Sequence, residues 1–408
     1  MDHTLIQKIF ADTAYIHTGG SPEELKAAEY IRDVCADFGV TATIEEFDVQ
    51  MAIIQEEVLT VDGVEIPCKG YLNAGTHEIE APLHYIAGKD KYVMEGCRGS
   101  IVLFDGYLGH WRYRELLDYQ AAGFISYDGQ MNYADRDIDR RELRASVAEG
   151  VAKIPGVNIN VKDAVALMKA NGKTAKITLK QEEYVGKSRN VVLDLPGESD
   201  DVIIFTAHYD TTSLSQGAYD NMSGSVGLLA LVEYFTTHPH KRTLRFVWCG
   251  SEERGLLGSK AYCAAHEEEL AKIKLCINLD MIGPTMGHFV ACCSCEDTAV
   301  SYISYLGREL GILIDPYQDV YSSDSTPFAD KGVPAISFAH LAPPATATIH
   351  NSYDTASIMD METLDKDMKL ITAFAERMDQ SVFFPVRRDI PENIKEKLDT
   401  YLCRKQAK

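Results

Sequence analysis

Several features are absent from this sequence of 408 residues, and each absence excludes a class of protein. No apolar run approaches the ~18 consecutive residues that a helix needs to cross a bilayer, so we expect no membrane partner. The opening segment, MDHTLIQKIFADTAYIHTGGSPEELKAAEYI, is acidic and amphipathic and lacks the basic and then apolar order of a signal peptide. We therefore expect a cytoplasmic protein, or a secreted one if a leader has been removed.

Basic residues are scarce. The chain has 40 Lys and Arg against 61 Asp and Glu, which gives a formal net charge of −21. Nucleic acids and anionic membrane surfaces reward clustered Lys and Arg, so no nucleic acid is expected as a partner. With 46% hydrophobic residues, the chain can instead bury a sizeable core, and an acidic protein can concentrate cations.

The ten cysteines lack the paired spacing of a zinc finger, and they are scattered rather than arranged as a disulfide framework. The run ACCSC, with Cys292, Cys293 and Cys295, is a candidate metal site by composition. It has the pattern of a short strand, however, and free cysteine is commonly buried. We therefore interpret these cysteines as part of a packed core.

The pattern of predicted helices and strands changes twice along the chain. Residues 1–50 begin with a capped helical pattern, SPEELKAAEYIRDVCADFG, and an alternating strand. Residues 51–184 contain short β-like pieces and two helical segments, which predict a smaller inserted α+β domain. From 185 to 408, apolar strands alternate with helices, the pattern of a parallel sheet covered on both faces. The predicted fold is α/β, a mostly parallel mixed sheet sandwiched by helices, with one discontinuous domain (1–50 and 185–408) and the insertion.

Polar residues stand where the strands of the larger domain end, and ligands of open α/β sheets bind beyond the carboxyl ends of strands. The candidates follow these strand ends or lie in adjacent loops: His208, Asp210, Asp220, Glu252, Glu253, Asp280 and His350. Because residues i and i+2 of an extended chain share a side, His208 and Asp210 can cooperate, with the imidazole on a metal and the carboxylate orienting the ring. Adjacent Glu252 and Glu253 cannot face the same point, so one can bind metal while the other deprotonates a water.

The charge of this set indicates how many cations it suits. Asp220, Glu253 and Asp280 would carry three negative charges beside two neutral imidazoles, which overcharges one divalent ion. Two ions come close to balance once a hydroxide bridges them, and Asp220 is the natural bridging carboxylate. Imidazole and carboxylate without thiolate suit zinc, with cobalt or manganese as substitutes.

Other interpretations exist for each part. A His-x-Asp pair is often structural, and adjacent glutamates are usually solvated, as we expect for HEEEL at 266–270. His340, in SFAH, competes with His350 as a ligand. We favour His350 because it lies in a polar loop with Asp354 nearby.

Five motifs of the chain resemble those of the co-catalytic zinc aminopeptidases of clan MH, a family that includes bacterial leucyl aminopeptidases, glutamate carboxypeptidase and the transferrin receptor ectodomain. The motifs are AHYDT (207–211), YDNMSG (219–224), SEERGLLGS (251–259), NLDMIG (278–283) and HNSYDT (350–355). The resemblance implies the zinc-peptidase, phosphorylase/hydrolase-like fold. The segments GSIVLFDG, YQAAGFISYDG and KIPGVNINVKDAVALMKANG are similar to a protease-associated domain, so the insertion at 51–184 is expected to be one.

The family pattern implies a role for each candidate ligand. His208 and Asp280 would bind one metal. Glu253 and His350 would bind the other, and Asp220 would bridge the two.

The pattern also implies that Glu252 is the general base, that Asp210 supports the ligands from behind, and that the Asp220–Asn221 peptide is cis. Many relatives carry Ser-Asp-His ahead of the last strand, whereas this chain has Ser-Asp-Ser at 323–325. Tyr321 is the nearest match to the tyrosine that helps to hold the oxyanion in some members.

The function expected from residues and resemblance is a dinuclear zinc aminopeptidase. It would hydrolyse N-terminal residues from peptides with a free N-terminus through a metal-bridging hydroxide and a glutamate base. The alternatives are a metal-dependent carboxypeptidase or an N-acyl amino acid or amide deacylase with a similar site, a cyclase with one zinc, and a binding module.

Overall fold

The structure is a computed structural model that describes residues 2–88, 90–132, 137–344 and 346–406. The strands are β1 (Thr43–Val61), β2 (Val64–Ile66), β3 (Lys69–Gly70), β4 (His77–Ile86), β5 (Ile101–Phe104), β6 (Gly123–Asp128), β7 (Gly156–Asn160), β8 (Thr174–Leu195), β9 (Ser199–His208), β10 (Arg242–Cys249), β11 (Ile273–Leu279), β12 (His288–Ser294), β13 (Asp315–Tyr317) and β14 (Ala335–Leu341). The helices are α1 (His3–Asp12), α2 (Pro22–Asp37), α3 (Lys91–Glu95), α4 (His110–Asp118), α5 (Ala145–Ala148), α6 (Val161–Leu167), α7 (Ser223–Thr237), α8 (Leu257–Ala265), α9 (Thr298–Leu310), α10 (Ser325–Asp330), α11 (Met361–Gln380) and α12 (Glu392–Tyr401).

The chain forms two compact units. One consists of Met1–Phe47 together with Lys187–Lys408, and the other consists of Asp48–Gly186. Among the residues that the structure describes, every helix is too short or too polar to cross a bilayer.

The larger unit contains a mixed sheet in the strand order β13-β12-β14-β11-β9-β10-β8. The four strands β14, β11, β9 and β10 run parallel to one another, whereas β12 is antiparallel to β14 and β8 is antiparallel to β10. Helices cover both faces of this sheet. The predicted α/β class, with a mostly parallel mixed sheet between helices, is therefore confirmed.

Strand β9 shows how the sheet is buried on both faces. Ile203, Phe205 and Ala207 belong to the core shared with helices α2, α7, α9 and α11. Val202 and Ile204 point the other way, into the core shared with α8, α10 and α12. This alternation explains the nearly continuous apolar sequence DVIIF, because each side chain meets a helix on one face or the other.

Helix α2 has the predicted start and stop. The Ser21 hydroxyl accepts the Glu24 N–H at 3.0 Å, Pro22 occupies the first turn, and Gly39 (φ +80°) follows the last turn. Two strands are longer than the sequence pattern predicts. The alternation of VTATIEEFDV predicts a strand over 40–49, whereas β1 spans Thr43–Val61. The pattern also predicts separate strands for AKITLK and NVVLDL, which are continuous in β8.

The smaller unit has its own sheet, in which β4, β5, β6 and β7 are parallel neighbours. β4 is antiparallel to residues 174–179 of β8, and β3 is antiparallel to β7. A separate apolar cluster that includes Phe104, Tyr113, Phe124 and Ile159 forms its core.

The three cysteines of ACCSC lie in or directly after β12, buried and free. Burial raises the pKa of Cys292 to about 12. They pack in the core as the sequence pattern predicts.

Candidate metal centre

The carboxyl ends of the parallel strands bring candidate ligands to one edge of the sheet. His208 is the last residue of β9, and Asp280 directly follows β11. Their side chains are 1% and 6% exposed. Asp220 reaches the same edge from the loop before α7, and 6% of it is exposed.

His208, Asp220 and Asp280 form one cluster, with a potential ligand atom from each residue within 4.8 Å of the others. His208 Nε2 lies 3.1 Å from Asp220 Oδ1 and 3.6 Å from Asp280 Oδ1. The buried Oδ1 of Asp280 has no hydrogen-bond partner among the described residues. A buried carboxylate oxygen without a donor is costly, and a cation would satisfy it.

Asp220, Glu253 and His350 form a second cluster with the same spacing. His350 Nε2 lies 3.1 Å from Asp220 Oδ2 and 3.0 Å from Glu253 Oε1. Asp220 therefore belongs to both clusters, and each of its two oxygens faces a different imidazole. Two nitrogens and three carboxylates in this arrangement fit a pair of cations that share one carboxylate.

The pKa directions reflect the same crowding of charge. Although burial opposes the shift, the carboxylates of Glu253 and Asp220 raise the pKa of His350 to about 11. The pKa of His208 is also raised, against burial, by the acids around it. Burial would raise the pKa of Asp220, but its two imidazole neighbours hold it well below the ordinary value. The cluster thus attracts positive charge on both sides of Asp220.

Glu252 belongs to neither cluster. Burial raises its pKa well above the value of an ordinary glutamate, and the charge of Glu253 adds to the shift while His208 opposes it. A group that serves first as base and then as acid must exchange its proton readily, and a raised pKa makes the carboxylate of Glu252 a stronger base than an ordinary glutamate.

Asp210 holds the backbone next to these glutamates. Its Oδ1 accepts the Glu252 N–H at 2.8 Å, and its Oδ2 accepts the Glu253 N–H at 3.3 Å. Asp210 also contacts Nδ1 of His208. Its main-chain oxygen lies 3.2 Å from that nitrogen, and its carboxylate lies 3.7 Å away. Asp210 therefore orients two elements of the site, one through its side chain and one through its backbone.

Asn221 anchors the loop that carries Asp220, and the peptide between the two residues is cis, as the resemblance implies. Its Oδ1 accepts the N–H groups of Gly224 and Met281 at 3.0 Å each. Its Nδ2 donates to the carbonyl of Leu279 at 2.9 Å. These bonds tie the start of α7 to the end of β11, so two ligand-bearing segments are fixed to each other.

Three residues beside or within the clusters have a left-handed backbone although none is glycine. They are Ser251 (φ +54°), Met281 (φ +66°) and His350 (φ +63°). Such conformations cost about 1–3 kcal/mol each and concentrate at functional sites. Each of them is a candidate ligand or lies within two residues of one, at a point where the chain turns sharply.

The sequence predicted seven candidates, and the structure brings them to this edge. His340 lies elsewhere, with Nδ1 3.0 Å from both carboxylate oxygens of Asp367. Tyr321 lies close enough to the acids for Asp280 and Asp220 to add to the rise that burial causes in its pKa.

A network of side-chain hydrogen bonds connects the strands next to the candidate metal centre, and it was not predicted from the sequence. Thr206 donates to Asn278 Oδ1 at 2.7 Å, and Asn278 donates to Ser323 Oγ at 2.9 Å and Ser337 Oγ at 3.3 Å. Ser325 lies 2.7 Å from Ser337 across the hydroxyl oxygens. Ser323 therefore bonds to β11 at Asn278, two residues before Asp280, whereas Ser325 bonds to Ser337 on the neighbouring strand β14. The sequence signal for this network was the presence of polar residues, Thr206, Asn278 and Ser337, within otherwise apolar strands.

Residues 190–375 match the profile of Peptidase family M28. Aminopeptidase YwaD of Bacillus subtilis is 26% identical over 243 residues, which cover 54% of this chain and 50% of that protein. Leucine aminopeptidase 2 of Trichophyton rubrum is 31% identical over 172 residues, which cover 41% and 33%. The chain thus spans half or less of the length of these curated relatives.

Two solved structures share the fold over nearly the whole chain. The zinc aminopeptidase BSAP from Bacillus subtilis superposes with a TM-score of 0.77 at 21% identity, covering 95% of this chain and 97% of that one. The aminopeptidase from Aneurinibacillus sp. strain AM-1 gives 0.73 at 22% identity, covering 95% and 98%.

Replacing Gly224 with alanine tests the close approach of α7 to β11. A Cβ there would lie 2.3 Å from the Leu279 carbonyl oxygen and 2.5 Å from Asn221 Oδ1. Alanine favours a helix over glycine by about 0.8–1 kcal/mol, but overpacking against backbone costs about 1–3 kcal/mol. We expect Gly224→Ala to lower the free energy of unfolding in a denaturant titration. In Gly109→Ala the new Cβ would have its nearest contact at 3.9 Å, so an equal loss in both variants would contradict the packing argument.

Proposed function

We propose that this chain, whose residues 190–375 match the profile of Peptidase family M28, is a metallo-aminopeptidase that removes N-terminal residues from peptides with the help of two zinc ions. The observation that carries the proposal is the position of Asp220. Its two carboxylate oxygens each lie 3.1 Å from a different imidazole, one in each three-residue cluster. A shared carboxylate between two ligand sets is the arrangement that a two-metal hydrolase needs.

The proposed ligands divide into two sets. His208 and Asp280 would hold one ion, Glu253 and His350 would hold the other, and Asp220 would contribute to both sets. Nitrogen and carboxylate donors without thiolate suit zinc, with cobalt or manganese as substitutes. Bound ions would supply Lewis acidity, which lowers the pKa of a water and polarises the carbonyl of the scissile peptide bond.

Glu252 is the proposed general base. It takes the proton of the attacking water and returns it to the nitrogen of the departing amine, so the same carboxyl serves as base and then as acid. Asp210 keeps it in position through the hydrogen bond from the Glu252 N–H. We further propose that Tyr321 donates to the developing oxyanion, a role that its location near Asp280 and Asp220 supports.

We also propose that the smaller unit is a protease-associated domain inserted into the peptidase domain. Its parallel strands β4 to β7 and its separate core support an independently packed insertion. The similarity of its sequence segments to that domain supports the identity.

Glu252→Gln tests the base. The amide has the same shape but cannot accept a proton, so we expect turnover to fall by about 10²–10⁴-fold while the zinc content stays unchanged. Glu268→Gln, on the exposed HEEEL segment, is the matched control and should retain wild-type turnover. Turnover of Glu252→Gln near the wild-type rate would refute the assignment.

A matched pair of histidine variants tests the ligand set. His350→Gln should lose about one zinc ion per chain, because His350 is a proposed ligand, whereas His340→Gln should keep both. Zinc is measured by elemental analysis after dialysis, together with the melting temperature of each variant. Equal zinc contents would show that His350 has been assigned wrongly.

A substrate pair tests the requirement for a free N-terminus. We expect an aminoacyl 4-nitroanilide to be hydrolysed and its N-acetylated form to be left intact, because an aminopeptidase recognises the free amine. Both release the same chromophore, so absorbance compares them directly. Equal release of 4-nitroaniline from the two would show that the α-amine is not required and would favour an amide hydrolase of the alternative class.

A further inference from the structure

Asp354 makes contacts that the proposed chemistry does not explain. Its carboxylate is fully buried. Oδ1 accepts the Tyr219 N–H at 2.7 Å, while Oδ2 accepts the Asp220 N–H at 3.1 Å and the Ser215 hydroxyl at 3.2 Å. Both of its oxygens are therefore committed to the segment that carries the shared carboxylate of the two clusters.

The position of Asp354 in the chain links the two clusters. It lies four residues after His350 in the same loop, so one short segment provides an imidazole for the second cluster and the acceptor for the backbone of Asp220. Asn351 braces this loop: its Oδ1 accepts the Tyr353 N–H at 2.9 Å, and its Nδ2 donates to the Ile349 carbonyl at 2.8 Å. A displacement of Asp354 would thus be transmitted to His350 and to Asp220.

The segment before Asp220 is packed tightly as well. Ser215 accepts the Gly217 N–H at 2.9 Å while it donates to Asp354. Gly217 has φ +67°, and a Cβ on it would lie 2.5 Å from the Thr211 methyl and 2.9 Å from the Asp220 carbonyl oxygen. Asn221 holds the other side of Asp220 through α7 and β11. Asp220 is therefore held from both directions, and Asp354 is the only charged side chain among the described residues that accepts its N–H.

We propose that Asp354 is a positioning residue that sets the direction of the Asp220 carboxylate and so couples the two halves of the metal centre. By holding two consecutive N–H groups, it directs Oδ1 of Asp220 towards His208 and Oδ2 towards His350. The inference rests on the proposed function, since it assigns Asp354 a role in zinc affinity. It differs from a general role in folding, which would leave zinc binding unchanged.

Asp354→Asn distinguishes the two roles. The amide keeps the shape but has one acceptor oxygen for two N–H groups, so one donor faces an NH₂ group instead. Loss of such a supporting contact typically weakens metal binding by about 10–100-fold. We expect a weakening of this size in a competition with a chromogenic chelator, and we expect excess zinc to restore peptidase activity.

The matched control is Asp379→Asn. Asp379 is also fully buried and accepts two consecutive backbone N–H groups, from Lys241 at 2.9 Å and Arg242 at 2.8 Å. It acts at the start of β10, whereas the glutamates of the site follow the end of that strand. Asp379→Asn should lower the melting temperature of the metal-free protein as Asp354→Asn does, yet keep zinc affinity within about threefold of wild type.

The outcomes separate this inference from the proposed function. If the wild-type chain binds zinc and Asp354→Asn binds it within threefold of wild type, the positioning role is overturned while the zinc site stands. If the wild-type chain binds no zinc, both are overturned. If Asp354→Asn does not fold, Ser215→Ala removes one of the three donors, and zinc affinity unchanged from wild type in that variant would overturn the inference.

Discussion

The centre depends on placing like charges together out of water. Asp220, Glu253 and Asp280 converge where little solvent reaches, and such an arrangement persists only if opposite charge lies between the carboxylates. The ring nitrogens of His208 and His350 each face one carboxylate oxygen of Asp220, and a bound cation would lie between such a nitrogen and the carboxylate oxygens around it. The repulsion between these carboxylates makes the cluster unfavourable without positive charge.

Side chains that accept backbone N–H groups hold the ligands in place. Asp210 does so for the two glutamates after β10, Asn221 for the start of α7, and Asp354 for the segment before it. These segments leave the sheet and therefore have no neighbouring strand to bond with. Side-chain carboxylate and amide oxygens therefore accept the backbone N–H groups that a neighbouring strand would accept within the sheet.

The convergence of ligands could be predicted from the sequence because it follows from two local facts, namely where apolar strands end and which sides of an extended chain residues share. The contacts of Asp354 could not, since its partners lie more than 130 residues away and no periodicity links them. The two-residue spacing predicts that Asp210 lies on the same side of the chain as His208. It does not predict that the main-chain oxygen of Asp210, rather than its carboxylate, approaches the imidazole more closely. The sequence predicts β8 as separate shorter strands because its pairing with β4 and β10, which lie far away in the chain, is not visible in local propensity.

The alternation of side chains along β9 has a consequence for how this fold can vary. His208 lies on the face that also carries Thr206 and Ile204, opposite to Phe205 and Ala207. One residue added within the strand would exchange the two sets, burying the imidazole among aromatic helix contacts and turning a phenylalanine towards the candidate metal centre. Insertions and deletions are therefore tolerable between strands but not inside β9 or β11, so the residue count of these strands is as constrained as the identity of the ligands themselves.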